Sequence, residues 1–159
     1  MKVLLFLLLF VAGTTWAGEK DSCTTQNIRE LIINYANGLI GTPYEWGGTD
    51  ISGFDCTGFV YHVFKQFGII VSRASSGYEH YSATSTEPEK AKPGDIILFT
   101  GTNASVKKVG HAGIIYRNDN GVIDFIHSSS SSKHCGVVIT RYNESGYVKR
   151  YLRIIDVIS

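Results

Sequence analysis

Three side chains in this 159-residue chain have the chemistry to open an acyl bond together: the thiol of Cys56 and the imidazoles of His111 and His127. After Cys56, the apolar residues Phe59, Val60, Val63, Phe64 and Phe67 recur as one stripe of an α-helix. Asp55 is a good N-cap for that helix, and Gly68 stands where a C′ glycine ends one. Cys56 therefore falls in the first turn, where unpaired backbone N–H groups and the positive end of the helix dipole favour an anion. A thiol there is expected to shift toward the reactive thiolate. Gly58 leaves the same turn bare, so that a substrate could approach the sulfur. A buried cysteine packed as a small hydrophobe fits this stretch equally well, and the helix alone leaves both readings open.

A thiol becomes a catalytic candidate when a base can reach it. Of the five histidines, His62 lies nearly opposite Cys56 around its own helix, His80 falls in an irregular segment, and His134 adjoins Cys135 beyond a serine run. His111 and His127 differ. His111 opens one predicted strand and His127 closes its antiparallel neighbour, so the tight turn between them brings both to one edge of a sheet. The assignment is Cys56 as nucleophile, His111 as base and acid, and His127 as the group that orients His111. A thiolate–imidazolium ion pair is the expected resting state.

Several elements must hold these residues. Thr24 or Thr25 is expected to cap a first helix with Ile28, Leu31, Ile32, Tyr35, Ala36 and Leu39 on one face, ended by Gly41 and Pro43. Tyr44 to Thr49 reads as a glycine-rich loop, in which Trp46 is expected to pack under the backbone. Residues 69–86 read as irregular, with a short helical turn near Tyr78 and no core role for Arg73, Ser75 or Tyr78. From Pro93-Gly94-Asp95 the pattern becomes β: Ile96–Phe99, His111–Tyr116, Val122–His127 after the turn Asn118-Asp119-Asn120-Gly121, then Gly136–Thr140 and Tyr151–Val157. Ser128 to Ser132 reads as a flexible surface loop. Helices first and a meander second imply an α+β fold, with N-terminal helices packed on an antiparallel sheet of about five strands.

Met1-Lys2, the apolar run Val3–Val11 and the small residues to Ala17 read as a cleaved secretory signal peptide over residues 1–17, without the small residues before a cysteine that lipidation requires. Residues 18–159, about 140 in number, suit one domain with one core. The net charge of +1 and the absence of a basic stripe argue against a nucleic-acid partner, and no later run is long enough for a transmembrane helix. A monomer is expected.

Five segments, taken in order, carry a resemblance: Tyr44-Glu45-Trp46-Gly47-Gly48, Asp55-Cys56-Thr57-Gly58-Phe59-Val60, Pro93 to Phe99, Gly110-His111-Ala112-Gly113-Ile114, and Phe125-Ile126-His127-Ser128-Ser129. Together they resemble the motifs of the NlpC-type bacterial cell-wall peptidases, which are papain-like cysteine peptidases. Thr57 stands where that family usually has serine, and Ala112 where it usually has valine. The resemblance implies hydrolysis of peptidoglycan stem peptides or muropeptides, typically at the γ-D-glutamyl bond to a diamino acid, with no cofactor. It matches Cys56, His111 and His127 to the catalytic residues and Tyr44 to an oxyanion-assisting tyrosine. It matches Asp55 and Arg73 to substrate-holding positions, whose plain readings are an N-cap and a solvated loop charge.

Other readings are a papain-like amidase or acyltransferase, and a non-catalytic wall-binding module, although such a module has no need of an acid–base pair. A metal site made from Cys56, His111 and His127 lacks ligand-like spacing. With Cys56 kept as a thiol, any intramolecular disulfide has to join Cys23 to Cys135; otherwise both are expected to be free.

Overall fold

The computed structural model describes residues 17–84 and 87–158. Helix α1 (Ala17–Asn37) is followed by a two-stranded ribbon, β1 (Thr49–Asp50) and β2 (Gly53–Phe54), and by helix α2 (Cys56–Lys65). Five longer strands follow: β3 (Ile96–Thr100), β4 (Val109–Asp119), β5 (Val122–Ser131), β6 (His134–Arg141) and β7 (Tyr151–Ile155). They form one antiparallel sheet in the order β6-β5-β4-β3-β7. Short 3₁₀ turns at Ser75–His80, Pro88–Lys90, Tyr142–Glu144 and Gly146–Arg150 fill the connections. The α+β architecture expected from the sequence is the one observed. The apolar run near the N-terminus lies outside the described residues, and no helix among those described is long and apolar enough to cross a membrane.

The sheet has two covered faces. On the first, Ile96, Leu98, Ala112, Ile114 and Ile126 pack against Phe59, Val60, Val63 and Phe64 of α2 and Ile32 and Ala36 of α1. On the second, Ile97, Phe99, Ile115 and Phe125 pack against Tyr142 and, at the margin, Tyr147 and Tyr151. The apolar stripe of α2 is buried as its spacing requires. The helix closes as a Schellman motif, with Gly68 at φ 73° and bonds from Gly68 N to Lys65 O and from Ile69 N to Phe64 O.

Five expectations are corrected. Helix α1 begins at Ala17, before the proposed caps Thr24 and Thr25. Its buried face is rotated toward Arg29, which leaves Leu31 47% exposed. The cause is that Arg29 is itself buried, paired with Asp95 and Asp156. The serine run is not a loop: Ser128 to Ser131 continue β5, paired with Val137, Gly136, Cys135 and His134, and Ser128 donates to the Phe54 carbonyl at 2.7 Å. Tyr78 belongs to the core, fully buried beside Tyr81. Trp46 is 87% exposed. The backbone of its loop is held without it, by Gly48 N on Glu45 O and Asp55 N on Gly48 O.

Candidate active site

Asp55 organises the start of α2. Its carboxylate accepts from Gly58 N at 2.7 Å as the N-cap, from Thr57 Oγ1, and from Gly47 N at 3.0 Å in the glycine loop. Arg73 pairs with the same carboxylate at 2.7 Å and also donates to Thr57 Oγ1. Arg73 is thus anchored to the helix start and is not a solvated loop charge. The Thr57 hydroxyl fills the role a serine would have, and its extra methyl is accommodated in a buried position. Gly58 does not leave the turn open to a substrate. A Cβ there would lie 2.0 Å from the Gly48 carbonyl oxygen, so the glycine admits the chain's own loop.

Cys56, in the first turn, is partly accessible. Backbone N–H groups of Ala112 and Thr57 approach its sulfur, so the thiol meets the beginning of β4. Tyr44 sits within the electrostatic reach of Cys56 and Asp55, and its hydroxyl is pushed up by burial and then by these neighbours. Cys56 and Cys135 are both free thiols; the side chain of Cys23 lies outside those described.

His111 and His127 lie on the second face of the sheet. Nε2 of His111 is 2.9 Å from Nδ1 of His127, the rings meet edge to face, and His127 Nε2 is 3.0 Å from Thr140 Oγ1. Gly113 makes this approach possible, because a Cβ there would fall 2.7 Å from Phe125 Cδ2 and 3.1 Å from His127 Cβ. Aromatic rings enclose the pair: Phe125 stacks on His127 with centroids 4.6 Å apart, and Tyr147 stacks on His111 at 5.3 Å. The Tyr147 hydroxyl is 3.4 Å from His111 Nε2, and Arg150 lies over the Tyr147 ring.

This enclosure sets the charge states. Burial holds His111 well below the ordinary imidazole range, helped by His127 and Arg150. Burial, then Arg150, holds His127 down at about 3. Burial and then the Asp55 carboxylate push the Cys56 thiol up, against the backbone N–H groups that favour its anion. The expected resting ion pair is therefore replaced by a neutral thiol and neutral imidazoles. The helix-start effect acts in the predicted direction, but desolvation outweighs it.

Of the residues singled out from the sequence, the structure joins Asp55 to Arg73, sets Tyr44 near Cys56 and bonds His111 to His127; Thr140, Tyr147 and Arg150 were missed. These three lie beyond the recognisable segments, on β6 and the 3₁₀ turn Gly146–Arg150, where nothing in residue type or spacing distinguishes them from surface residues. Among the described residues no cluster of acidic, histidine and cysteine side chains suits a metal ion.

Comparison with known proteins gives one consistent result. A family model described as NlpC/P60 family matches residues 41–156. "Probable peptidoglycan endopeptidase LytE" of Bacillus subtilis is 34% identical over 129 residues, covering 81% of this chain and 34% of its own length. The "Gamma-D-glutamyl-L-lysine dipeptidyl-peptidase" of Bacillus cereus is 32% identical over 139 residues, covering 87% of this chain and 39% of its own. The crystal structure of an NlpC/P60 family protein from Bacillus cereus superposes with a TM-score of 0.69 at 28% identity, over 82% of this chain and 40% of that one. The chain thus spans well under half the length of these relatives.

Proposed function

The chain belongs to the NlpC/P60 family, and from that premise we propose that it is a secreted cysteine endopeptidase that hydrolyses peptidoglycan stem peptides or muropeptides at the γ-D-glutamyl–diamino acid bond. The observation that carries this reading is the buried, hydrogen-bonded histidine pair in its aromatic enclosure, with the N–H of Ala112, next to His111 in the chain, approaching the sulfur of the capped helix-start Cys56. A binding module has no use for a neutral imidazole held in one orientation. The names of the two Bacillus relatives support the substrate class. The apolar run Val3–Val11 supports export behind a signal peptide, with residues 18–159 acting as one catalytic domain and as a monomer.

In this reading His111 donates Nε2–H to His127 Nδ1, and His127 donates Nε2–H to Thr140 Oγ1. That tautomer occupies both nitrogens of His127 and leaves Nδ1 of His111 unprotonated, the atom to which this reading gives the thiol proton. Attack of the sulfur on the carbonyl carbon and transfer of the thiol proton to His111 are concerted, because neither charged form is stable at rest. The backbone N–H of Cys56 and the Tyr44 hydroxyl receive the oxyanion. Collapse breaks the C–N bond as His111 returns its proton to the leaving amine. Water, deprotonated by His111, then opens the thioester, releasing the acid and restoring the thiol. Asp55 and Arg73 hold the acyl part of the substrate beside the nucleophile.

The test is incubation with defined tri- and tetrapeptide muropeptides and mass spectrometry of the products. Release of the diamino acid portion, absent in Cys56→Ala, is expected. Intact substrates alongside a Cys56 that still alkylates would remove the proposal.

A further inference from the structure

His62 takes no part in the proposed reaction, yet both nitrogens of its partly buried ring are engaged. Nδ1 lies 3.0 Å from the Thr49 carbonyl, and Nε2 lies 3.0 Å from the Tyr35 hydroxyl. A carbonyl only accepts, so Nδ1 carries a proton, and in the neutral ring Nε2 accepts from the Tyr35 O–H. The ring also packs against that of Phe54, with centroids 5.0 Å apart. Tyr35 belongs to α1, Thr49 to β1 and Phe54 to β2. His62 therefore joins the first helix and both strands of the ribbon to the second turn of α2.

What the ribbon carries relates this joint to the reaction. Thr49 pairs with Phe54 across the ribbon, and Phe54 forms a β-bridge to Tyr44. The backbone of Phe54 bonds the residues on either side of that tyrosine. Its N–H donates to the Pro43 carbonyl at 3.0 Å, and its carbonyl accepts from the Glu45 N–H at 3.1 Å. Tyr44 is thus suspended from Phe54, and His62 ties Phe54 and Thr49 to α2. The same helix begins at Cys56. One rigid element then holds both the sulfur and the loop that carries the Tyr44 hydroxyl, the precision a reacting constellation needs from its supports.

Resting on the functional reading above, we infer that His62 is a positioning residue: its bond to Thr49 and its contact with Phe54 place the Tyr44 hydroxyl where the oxyanion forms. It touches neither substrate nor reacting atom and acts through Tyr44. The ribbon keeps two other ties, from Asp55 N to the Gly48 carbonyl and from the Ser128 hydroxyl to the Phe54 carbonyl. Loss of His62 therefore shifts the loop without releasing it.

Turnover of a muropeptide carrying the γ-D-glutamyl–diamino acid bond tests this. His62→Ala should lower kcat by about tenfold, short of the roughly 10²–10³-fold that complete loss of an oxyanion donor costs. KM should stay within about twofold, and alkylation of Cys56 by iodoacetamide should be unchanged, because α2 still presents the thiol. His62→Asn sets an amide N–H where Nδ1 stands and should recover most of the kcat. His62→Gln reaches toward Tyr35 instead and should not, a comparison that does not depend on the alanine variant folding. In a Tyr44→Phe background, which has no hydroxyl to place, His62→Ala should cost less than about twofold. An undiminished kcat in His62→Ala, recovery by Gln and not by Asn, or the same tenfold loss in the Tyr44→Phe background each overturns the positioning role and leaves the peptidase reading standing. Failure of the unsubstituted protein to cleave, with Cys56 still alkylating, overturns both.

Discussion

Cys56 and His111 are each driven toward neutrality by their surroundings, and this bears on how the thiol should behave in solution. A raised thiol pKa means the anion appears only above the ordinary cysteine range of about 8.5. Thiolate absorbance near 240 nm should be nearly absent at pH 7, and alkylation of Cys56 by iodoacetamide should climb steadily with pH above that range. A strong thiolate band at pH 6 would instead restore the ion pair expected from the helix start. The pH–rate profile does not distinguish the two states, since they carry the same number of protons, and its limbs belong to the pair. Substitution separates the roles. Cys56→Ala should abolish turnover with the fold intact, read by circular dichroism, because the side chain is partly accessible and sits at a helix end. In the proposed reaction His111→Ala removes both base and acid, so it should lower kcat by about 10²–10⁴-fold. His127→Ala should lose less, because Tyr147 still stacks on His111 and retains part of its orientation.

At the scale of elements, glycines decide how closely the pieces of the site meet. Gly58→Ala should be favourable by helix propensity alone, by about 1 kcal/mol. The new Cβ would lie 2.0 Å from the Gly48 carbonyl oxygen, which is backbone and cannot rotate aside. The overlap therefore wins, and the variant should have a lower urea midpoint and displaced Tyr44, read as a loss in kcat/KM. An unchanged or raised midpoint would show that the loop yields freely. Helix α2, its two ends and the five strands were legible because each rests on local periodicity or a turn residue. The serine run was not, because its strand character comes from pairing with β6, and a low-complexity segment has no pattern of its own. Leu31 misled because a buried arginine, paired with the sequence-distant carboxylates of Asp95 and Asp156, turns α1 about its axis. Trp46 misled because backbone bonds around Gly47 and Gly48, not an aromatic anchor, hold its loop. Cys56 was legible from its place at the start of α2, and His111 and His127 do meet across β4 and β5, but inside their strands rather than at the ends, because both strands run further than their apolar patterns; Tyr147 and Arg150 became visible only once the chain returned across the second face of the sheet.

For the molecule as a whole, the sheet joins two interiors: an aliphatic one under the helices, and an aromatic one that encloses the histidines. Placing two imidazoles in the second interior ties folding to pH. Both have folded-state pKa values depressed below the unfolded value of about 6.5. Their contribution is therefore fully present above pH 6.5 and is lost as pH falls toward the folded values, because the unfolded chain takes up protons that the folded protein refuses. With His127 at about 3, this one residue should cost about 2 kcal/mol between pH 7 and pH 5, and His111 acts in the same direction. Three carboxylates also shift, but lower in the range, exposed Asp50 being held down by its bonds from Ser52. Asp124, held down by Arg141 and Arg117, adds acid sensitivity below about pH 4. Asp95, pushed up by burial, opposes it. None cancels a loss that begins near pH 6.5, where an ordinary unfolded carboxyl is still ionised. Urea denaturation at pH 7, 6 and 5 should show the midpoint falling already between pH 7 and 5, and His127→Gln, which keeps a hydrogen-bonding side chain but cannot titrate, should flatten that fall. A midpoint constant down to pH 5 in the unsubstituted protein would mean that the histidine enclosure admits water and charge readily, and with it a resting imidazolium.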